Sequence, residues 1–242
     1  MTETGWQDSP PERLVAIVQE LSLARDLDSV MHIVRSAARD LTGADGATFV
    51  LREEGDCYYA DEDAISPLWK GQRFPASACI SGWVMDHGTP ALIEDIYADS
   101  RIPDDVYRPT FVRSLAMVPI RPADPVAAIG NYWAIRHQPN TEELRLLQAL
   151  ADSTSIAMEN VALYADLERR VAERTRELEG LRAYLDKLTT REREVLEVTT
   201  RGLTSKEAAR ELGMSHRTVE VHRDRIRKKL GIRSLTELAR LV

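Results

Sequence analysis

At 242 residues, 43% apolar and 29% charged, the chain has room for one large or two small folded domains and is too apolar to be disordered throughout. No run of 18 apolar residues occurs, and the opening MTETGWQDSPPER lacks the basic-then-apolar layout of an export signal. Membrane insertion and secretion are therefore not expected, and a reducing cytoplasm is. The net charge of −7 conceals a division: from Lys187 onward 14 Lys and Arg face 8 Asp and Glu, and before it 18 face 31. That split suggests a basic module for a polyanion attached to an acidic body.

In chain order, Leu14, Ile17, Val18 and Leu21 form one apolar stripe and predict a first helix. Ser29 is placed to cap a second, striped by Val30, Ile33, Val34, Ala37, Ala38 and Leu41, with Gly43 to end it. Short β-type runs follow at Ala47 to Leu51, Cys57 to Ala60, Ala91 to Ile96, Ser114 to Ile120 and Ala127 to Ile135. Asn140 and Thr141, followed by Glu142 and Glu143, open another helix. This order predicts an α+β sandwich, a central, mostly antiparallel sheet flanked by helices. Ten of the 14 aromatic residues lie between Tyr58 and Trp133.

Residues 11–160, and above all CISGWVMDHGTPALIEDIYADSRIPDDVYRPTFVRSLAMVPIR, resemble a GAF domain. The resemblance implies a sensor of small molecules, redox state or light, often dimeric. Trp69, Phe74, Cys79, Trp83, Tyr107, Phe111, Arg113 and Trp133 are the candidate pocket, and the rings can equally be the core of a small sandwich. Arg113 suits either an anionic ligand or a structural ion pair. A covalent bilin is not expected, because the stretch matching the attachment site, RIPDDVYRPTFVRS, has no Cys. Cys79 begins a short helix, where a thiol can become reactive, yet an inert small hydrophobe is the commoner state of a free Cys. Cys57, inside a strand, reads as core. These two cysteines cannot make a disulfide scaffold or a cysteine-rich zinc site.

Enzymatic chemistry has little support. Asp86 and His87 are adjacent, but no G-x-S-x-G accompanies them, and His32, His87 and His137 lack metal-ligand spacing. GAF proteins that reduce free methionine sulfoxide rely on more cysteines than two.

Residues 161–186 predict a coiled coil. Taking Tyr164 as a, the a positions are Tyr164, Val171, Leu178 and Leu185; the d positions are Leu167, Arg174, Leu181 and Leu188. Seven of the eight are apolar, and Glu177 at g faces Arg182 at the next e, which favours a parallel homodimer over a helix lying on its own domain. Arg174 and Gly180 weaken the seam where a hinge or register switch would sit. LERRVAERTRELE resembles the signalling helices behind bacterial sensor domains, but no phosphoacceptor helix or ATP-binding segment follows, so kinase activity is not expected.

The basic module, 187–242, reads as four short helices. Thr189 or Thr190 caps one that carries Val195, Leu196 and Val198; Ser205 to Leu212 form the next; Gly213 and Met214 turn; and Ser215 caps a third running to Leu230. That is a helix-turn-helix pattern. LTTREREVL, SKEAARELGMS and RTVEVHRDRIRKKL, followed by SLTELARL, resemble the LuxR-type (FixJ/NarL-like) DNA-binding domain. The resemblance implies that Glu220, Val221 and Asp224 face base edges, and that Lys206, Thr218, His222 and Lys229 lie toward phosphates. Arg217, Arg223 and Arg227 occupy the same outward faces, and the last helix would aid dimerisation. Ser205, where the family commonly has Asn, and Ala208, where a larger aliphatic is usual, are departures.

The expectation is therefore a homodimeric transcriptional regulator of inverted-repeat double-stranded DNA, controlled by a GAF ligand. The alternative is a GAF-based small-molecule or thiol-redox protein whose helix-turn-helix serves protein contacts.

Overall fold

The computed structural model describes residues 9–232. The predicted last helix, SLTELARL, lies outside the described residues. The chain divides into two compact units that part between Ala165 and Asp166.

In the first unit, α1 (Pro10–Leu23) and α2 (Leu27–Thr42) precede β1 (Gly46–Glu53), β2 (Asp56–Ala64) and β3 (Arg73–Pro75). Then come α3 (Ile80–His87), β4 (Ala91–Ile93), α4 (Asp104–Tyr107), β5 (Ser114–Ile120), β6 (Ala127–Trp133) and the start of α5 (Thr141–Asp186). The six strands form one antiparallel sheet in the order β3-β2-β1-β6-β5-β4. The predicted sandwich of a central antiparallel sheet flanked by helices is what forms.

Strand alternation divides the core between the two faces of the sheet. On β5, Ala116, Val118 and Ile120 join α1, α2 and Leu147, Leu150 and Ala151 of α5. Leu115 and Met117 point the other way, toward Ile80, Val84 and Met85 of α3. Asn131 of β6 pins α2 to the sheet, its amide donating to the Ala38 carbonyl (2.8 Å) and the Thr42 hydroxyl (2.6 Å).

Several expected boundaries move. Asp26, not Ser29, caps α2, its carboxylate accepting from the Ser29 N–H (2.7 Å), while Gly43 ends the helix at φ +65° as expected. The strand starting at Ala91 stops at Ile93, because Asp95 caps a 3-10 turn over Ile96–Ala98 by accepting from Tyr97 N–H. The strand from Ala127 stops at Trp133: the next N–H, of Ala134, turns to the Asp45 carboxylate (2.8 Å). β3 was not foreseen; three residues ending in Pro on a sheet edge leave no alternation to read.

In the second unit, α6 (Thr190–Thr200), α7 (Ser205–Glu211) and α8 (His216–Leu230) follow the end of α5. Thr189, Thr204 and Ser215 cap them, the first two as capping boxes with Glu192 and Glu207. Their core is Val195, Leu196, Val198, Ala208, Ala209, Val219, Ile226 and Leu230. Leu188, expected on the coiled-coil seam, is buried in this core instead, because α5 ends at Asp186.

Candidate functional site

Along α8 the buried Val219, Ile226 and Leu230 recur at seven and four residues, one stripe of a helix of 3.6 residues per turn. The opposite face therefore points outward. Arg217, Thr218, Glu220 and Val221 are exposed there, Val221 by 44%, as are Arg227 and Lys228. Lys206, on the first turn of α7, is also exposed. The two helices are joined through Gly213 at φ +65°, with Met214 N–H donating to the Ala209 carbonyl (2.9 Å). Ser205 fastens them: its hydroxyl donates to the Glu220 carboxylate and accepts from the Arg223 guanidinium (2.7 Å). Asp224 sits between Lys228 (3.1 Å) and Arg227 (3.2 Å); the hydrogen bond from Lys228 does most to hold its carboxyl below the usual range.

Lys229 and His222 are less free than their expected role as phosphate contacts requires. His222 is half-buried, with no partner for its Nδ1 among the described residues. Lys229 Nζ donates to Glu192 Oε2 (2.6 Å), a carboxylate that also accepts the Thr189 N–H (2.8 Å) and hydroxyl (3.0 Å). Lys229 thus joins the end of α8 to the start of α6.

On the other unit the expected pocket residues separate into four groups. Trp69 lies at the centre of a ring cluster, 4.7 Å from Tyr107, 5.4 Å from Tyr59 and 5.5 Å from Tyr132, with Phe74 5.5 Å from Tyr59 on the edge. Phe111 packs against the same cluster. These rings fill the space beneath the sheet. Trp133 belongs to the core on the opposite face, since it neighbours Tyr132 on one strand and side chains alternate. Arg113 pairs with Asp95 (3.3 Å) and lies 4.8 Å above the Tyr97 ring, taking the structural ion pair of its two expected roles.

Only Cys79 and Trp83 of the eight line an open cleft, of about 480 Å³, with Asp86, His87, Arg101 and Ile102 among its other walls. Its size falls within the roughly 300–1,000 Å³ of small-molecule sites. Trp83 is sandwiched between His87 (4.4 Å, stacked) and the Arg101 guanidinium (4.4 Å), which Asp99 holds by two hydrogen bonds. At the cleft wall, Cys79 caps α3 and meets Cys57 of β2. The two cysteines share one buried cluster, and the Cys79 sulfur lies 3.2 Å from Ser81 Oγ and 3.9 Å from the Ala76 carbonyl oxygen. Sequence reading missed this pair, because nothing local links a strand residue to a helix cap 22 positions on.

Two known families match separate stretches of the chain, of 136 and 57 of its 242 residues. Residues 24–159 match the GAF domain and residues 186–242 match "Bacterial regulatory proteins, luxR family". Transcriptional regulatory protein UhpA of Escherichia coli (strain K12) is 51% identical over 55 residues, 23% of this chain and 28% of that protein. Transcriptional regulatory protein TdiR of Thauera aromatica is 41% identical over 76 residues, 31% of this chain and 34% of that one. The chain thus spans only about a third of the length of these curated relatives. In structure, the GAF domain from an Acinetobacter phosphoenolpyruvate-protein phosphotransferase superposes with a TM-score of 0.57 at 15% identity. The match covers 66% of this chain and 98% of that one, a likeness of fold alone.

Proposed function

Because the chain belongs to the GAF-domain family and carries a luxR-family regulatory domain at residues 186–242, we propose that it regulates transcription by binding double-stranded DNA as a homodimer. The proposed division is a sensor over residues 11–160, a coiled coil over 161–186 and a DNA-binding output over 187–242. A small-molecule effector in the sensor biases the output through the coil. The relatives matched are named as regulators, which supports a role in binding rather than catalysis.

One observation carries the reading: a capped helix of 15 residues, held by its buried stripe, presents Arg217, Glu220, Val221 and Asp224 together on its outer face. A helix fits the major groove, where a carboxylate such as Glu220 can accept from cytosine and an aliphatic group such as Val221 can meet a thymine methyl. The exposed Lys206 and Arg217 would serve phosphates. Two copies reading an inverted repeat need their α8 helices one helical turn of DNA apart, which a dimer supplies.

Fluorescence anisotropy on selected and scrambled duplexes tests it. The wild type should prefer some sequences, with a slope of log K against log salt of about −0.9 for each phosphate neutralised. Val221→Ala and Glu220→Gln should each shift preference at particular base pairs by about 1–3 kcal/mol. Lys206→Ala should weaken all sequences alike and flatten the salt slope by about 1. Absence of any sequence preference at low salt would refute the proposal; so would equal effects of all three substitutions on every duplex.

The dimer rests on α5, where Leu167, Val171, Leu178 and Leu185 are exposed by 43–66% at heptad spacing. The Arg25 guanidinium lies 4.8 Å over the Tyr164 ring, so that first a position is partly covered already. The side chain of Leu181, a d position, lies outside the described set. Arg174, the polar d residue, pairs along its own helix with Glu177 (2.8 Å). Joint replacement Val171→Glu and Leu178→Glu places like charges on the seam. It should give a monomer in sedimentation and lower DNA affinity by roughly tenfold or more, because paired half-sites bind with a high effective concentration. A dimer of unchanged mass would remove α5 as the interface.

A further inference from the structure

We propose that Ser205 is a specificity-positioning residue, whose hydroxyl aims the Glu220 carboxylate at the exocyclic amino group of a cytosine in the major groove. The inference rests on the reading of α8 as the helix that meets DNA, and it adds the residue that directs one of its contacts.

The hydrogen bonds around Ser205 can run in one direction only. A guanidinium donates and never accepts, and a carboxylate accepts and never donates. Arg223 Nη1 therefore donates to Ser205 Oγ (2.7 Å), and the hydroxyl hydrogen is left to point at Glu220 Oε1. Both ends of this relay are charged, which strengthens each bond in it. Glu220 and Arg223 stand three residues apart on α8, so one serine between them can serve both.

Ser205 is itself a fixed point, 8% exposed at the first position of α7. Thr204, the cap before it, closes a capping box with Glu207, so the start of α7 does not need the Ser205 hydroxyl. Ala208 and Ala209 share a buried core with Val219, so the seating of α7 on α8 does not rest on that hydroxyl alone. What the hydroxyl does restrain is the carboxylate of the exposed Glu220.

The consequence is specificity. Glu220 Oε2 has no hydrogen-bond partner among the described residues, and cytosine N4 supplies the donor it can accept. A glutamate free to rotate loses side-chain freedom when it binds, and it can also swing away from a base edge that offers only acceptors. Tethered at Oε1, it does neither. Wrong base pairs are then penalised by an acceptor that cannot retreat.

The test selects duplexes from a random pool with the full chain. Each base pair of the selected site is then changed in turn and binding is measured by fluorescence anisotropy. Wild type should require C·G at one position of each half-site, and Glu220→Ala should erase that requirement. Ser205→Ala should relax it about fivefold, at the same position and no other, because one charge-assisted hydrogen bond is lost. Its salt slope should match wild type, since no phosphate contact has gone. Ser205→Thr keeps a hydroxyl and should retain the requirement. In the Glu220→Ala background, Ser205→Ala should have no further effect on base preference. Far-UV circular dichroism verifies that each variant is folded. A folded Ser205→Ala chain with wild-type discrimination would overturn this proposal and leave DNA recognition by α8 standing. Equal weakening on every duplex would make Ser205 a packing residue and overturn it too. A wild type without sequence preference would overturn both readings.

Discussion

Glu192→Ala is expected to remove about 2–3 kcal/mol from the stability of the carboxyl-terminal unit, a large part of what a unit of this size possesses. The Glu192 carboxylate is 3% exposed and links two helices: it accepts from Thr189, the cap of its own α6, and from Lys229 at the end of α8. Breaking a wholly buried pair costs about 3–5 kcal/mol, but the Lys229 side chain is 38% exposed, so solvent screens part of the loss here. Lys229→Met leaves the buried carboxylate with Thr189 alone and should cost somewhat less, because water can reach the vacated position.

The same network makes stability fall in acid. Burial by itself would raise the Glu192 carboxyl, but the Lys229 ammonium and the Thr189 donors overcome it and hold the group at about 2, against 4.5 in an unfolded chain. The folded value is depressed, so the contribution is complete above pH 4.5 and is lost as pH falls toward 2. Far-UV circular dichroism should follow this melt. No aromatic residue lies beyond Tyr184, so tryptophan fluorescence reports the other unit and serves as the internal control. A Glu192→Ala chain whose carboxyl-terminal melt matches wild type from pH 2 to 7 would exclude the network as a support.

Gly82→Ala should be the most damaging single-methyl change in the first unit. A Cβ built at Gly82 would lie 1.9 Å from the Ala76 carbonyl oxygen and 2.5 Å from its Cα, both backbone, so no rotamer change relieves the clash. The α3 helix would have to lift from the turn that leads into it. Overpacking of this kind costs about 3 kcal/mol, which lowers the melting temperature of a unit of this size by roughly 6–12 °C. Calorimetry showing an unshifted transition would mean that the loop before α3 yields more easily than its packing implies. Gly180 offers the contrast: a Cβ there meets nothing within 4 Å, and α5 runs through it unbroken.

Much of the architecture was legible because it is encoded over three or four residues. Thr189 with Glu192 and Ser215 ahead of Thr218 are caps closed within a single turn, and Gly43 ends its helix because it alone tolerates the left-handed backbone there. The stripe Val219, Ile226, Leu230 gave the buried side of α8 by periodicity, and with it the outer face. The family resemblances, carried by contiguous motifs, named both units.

Long-range placement alone decided the rest. Alternation along β6 puts Tyr132 and Trp133 on opposite faces, but only the helices that cover each face determine which ring borders the cleft side. Lys229 reads as a phosphate contact until the fold brings it to Glu192, 37 residues away. Cys57 and Cys79 read as two separate residues until a strand and a helix cap bring them into one buried cluster. Periodicity specifies which way a side chain points from its own backbone, and what it meets there depends on the packing of elements distant in the chain.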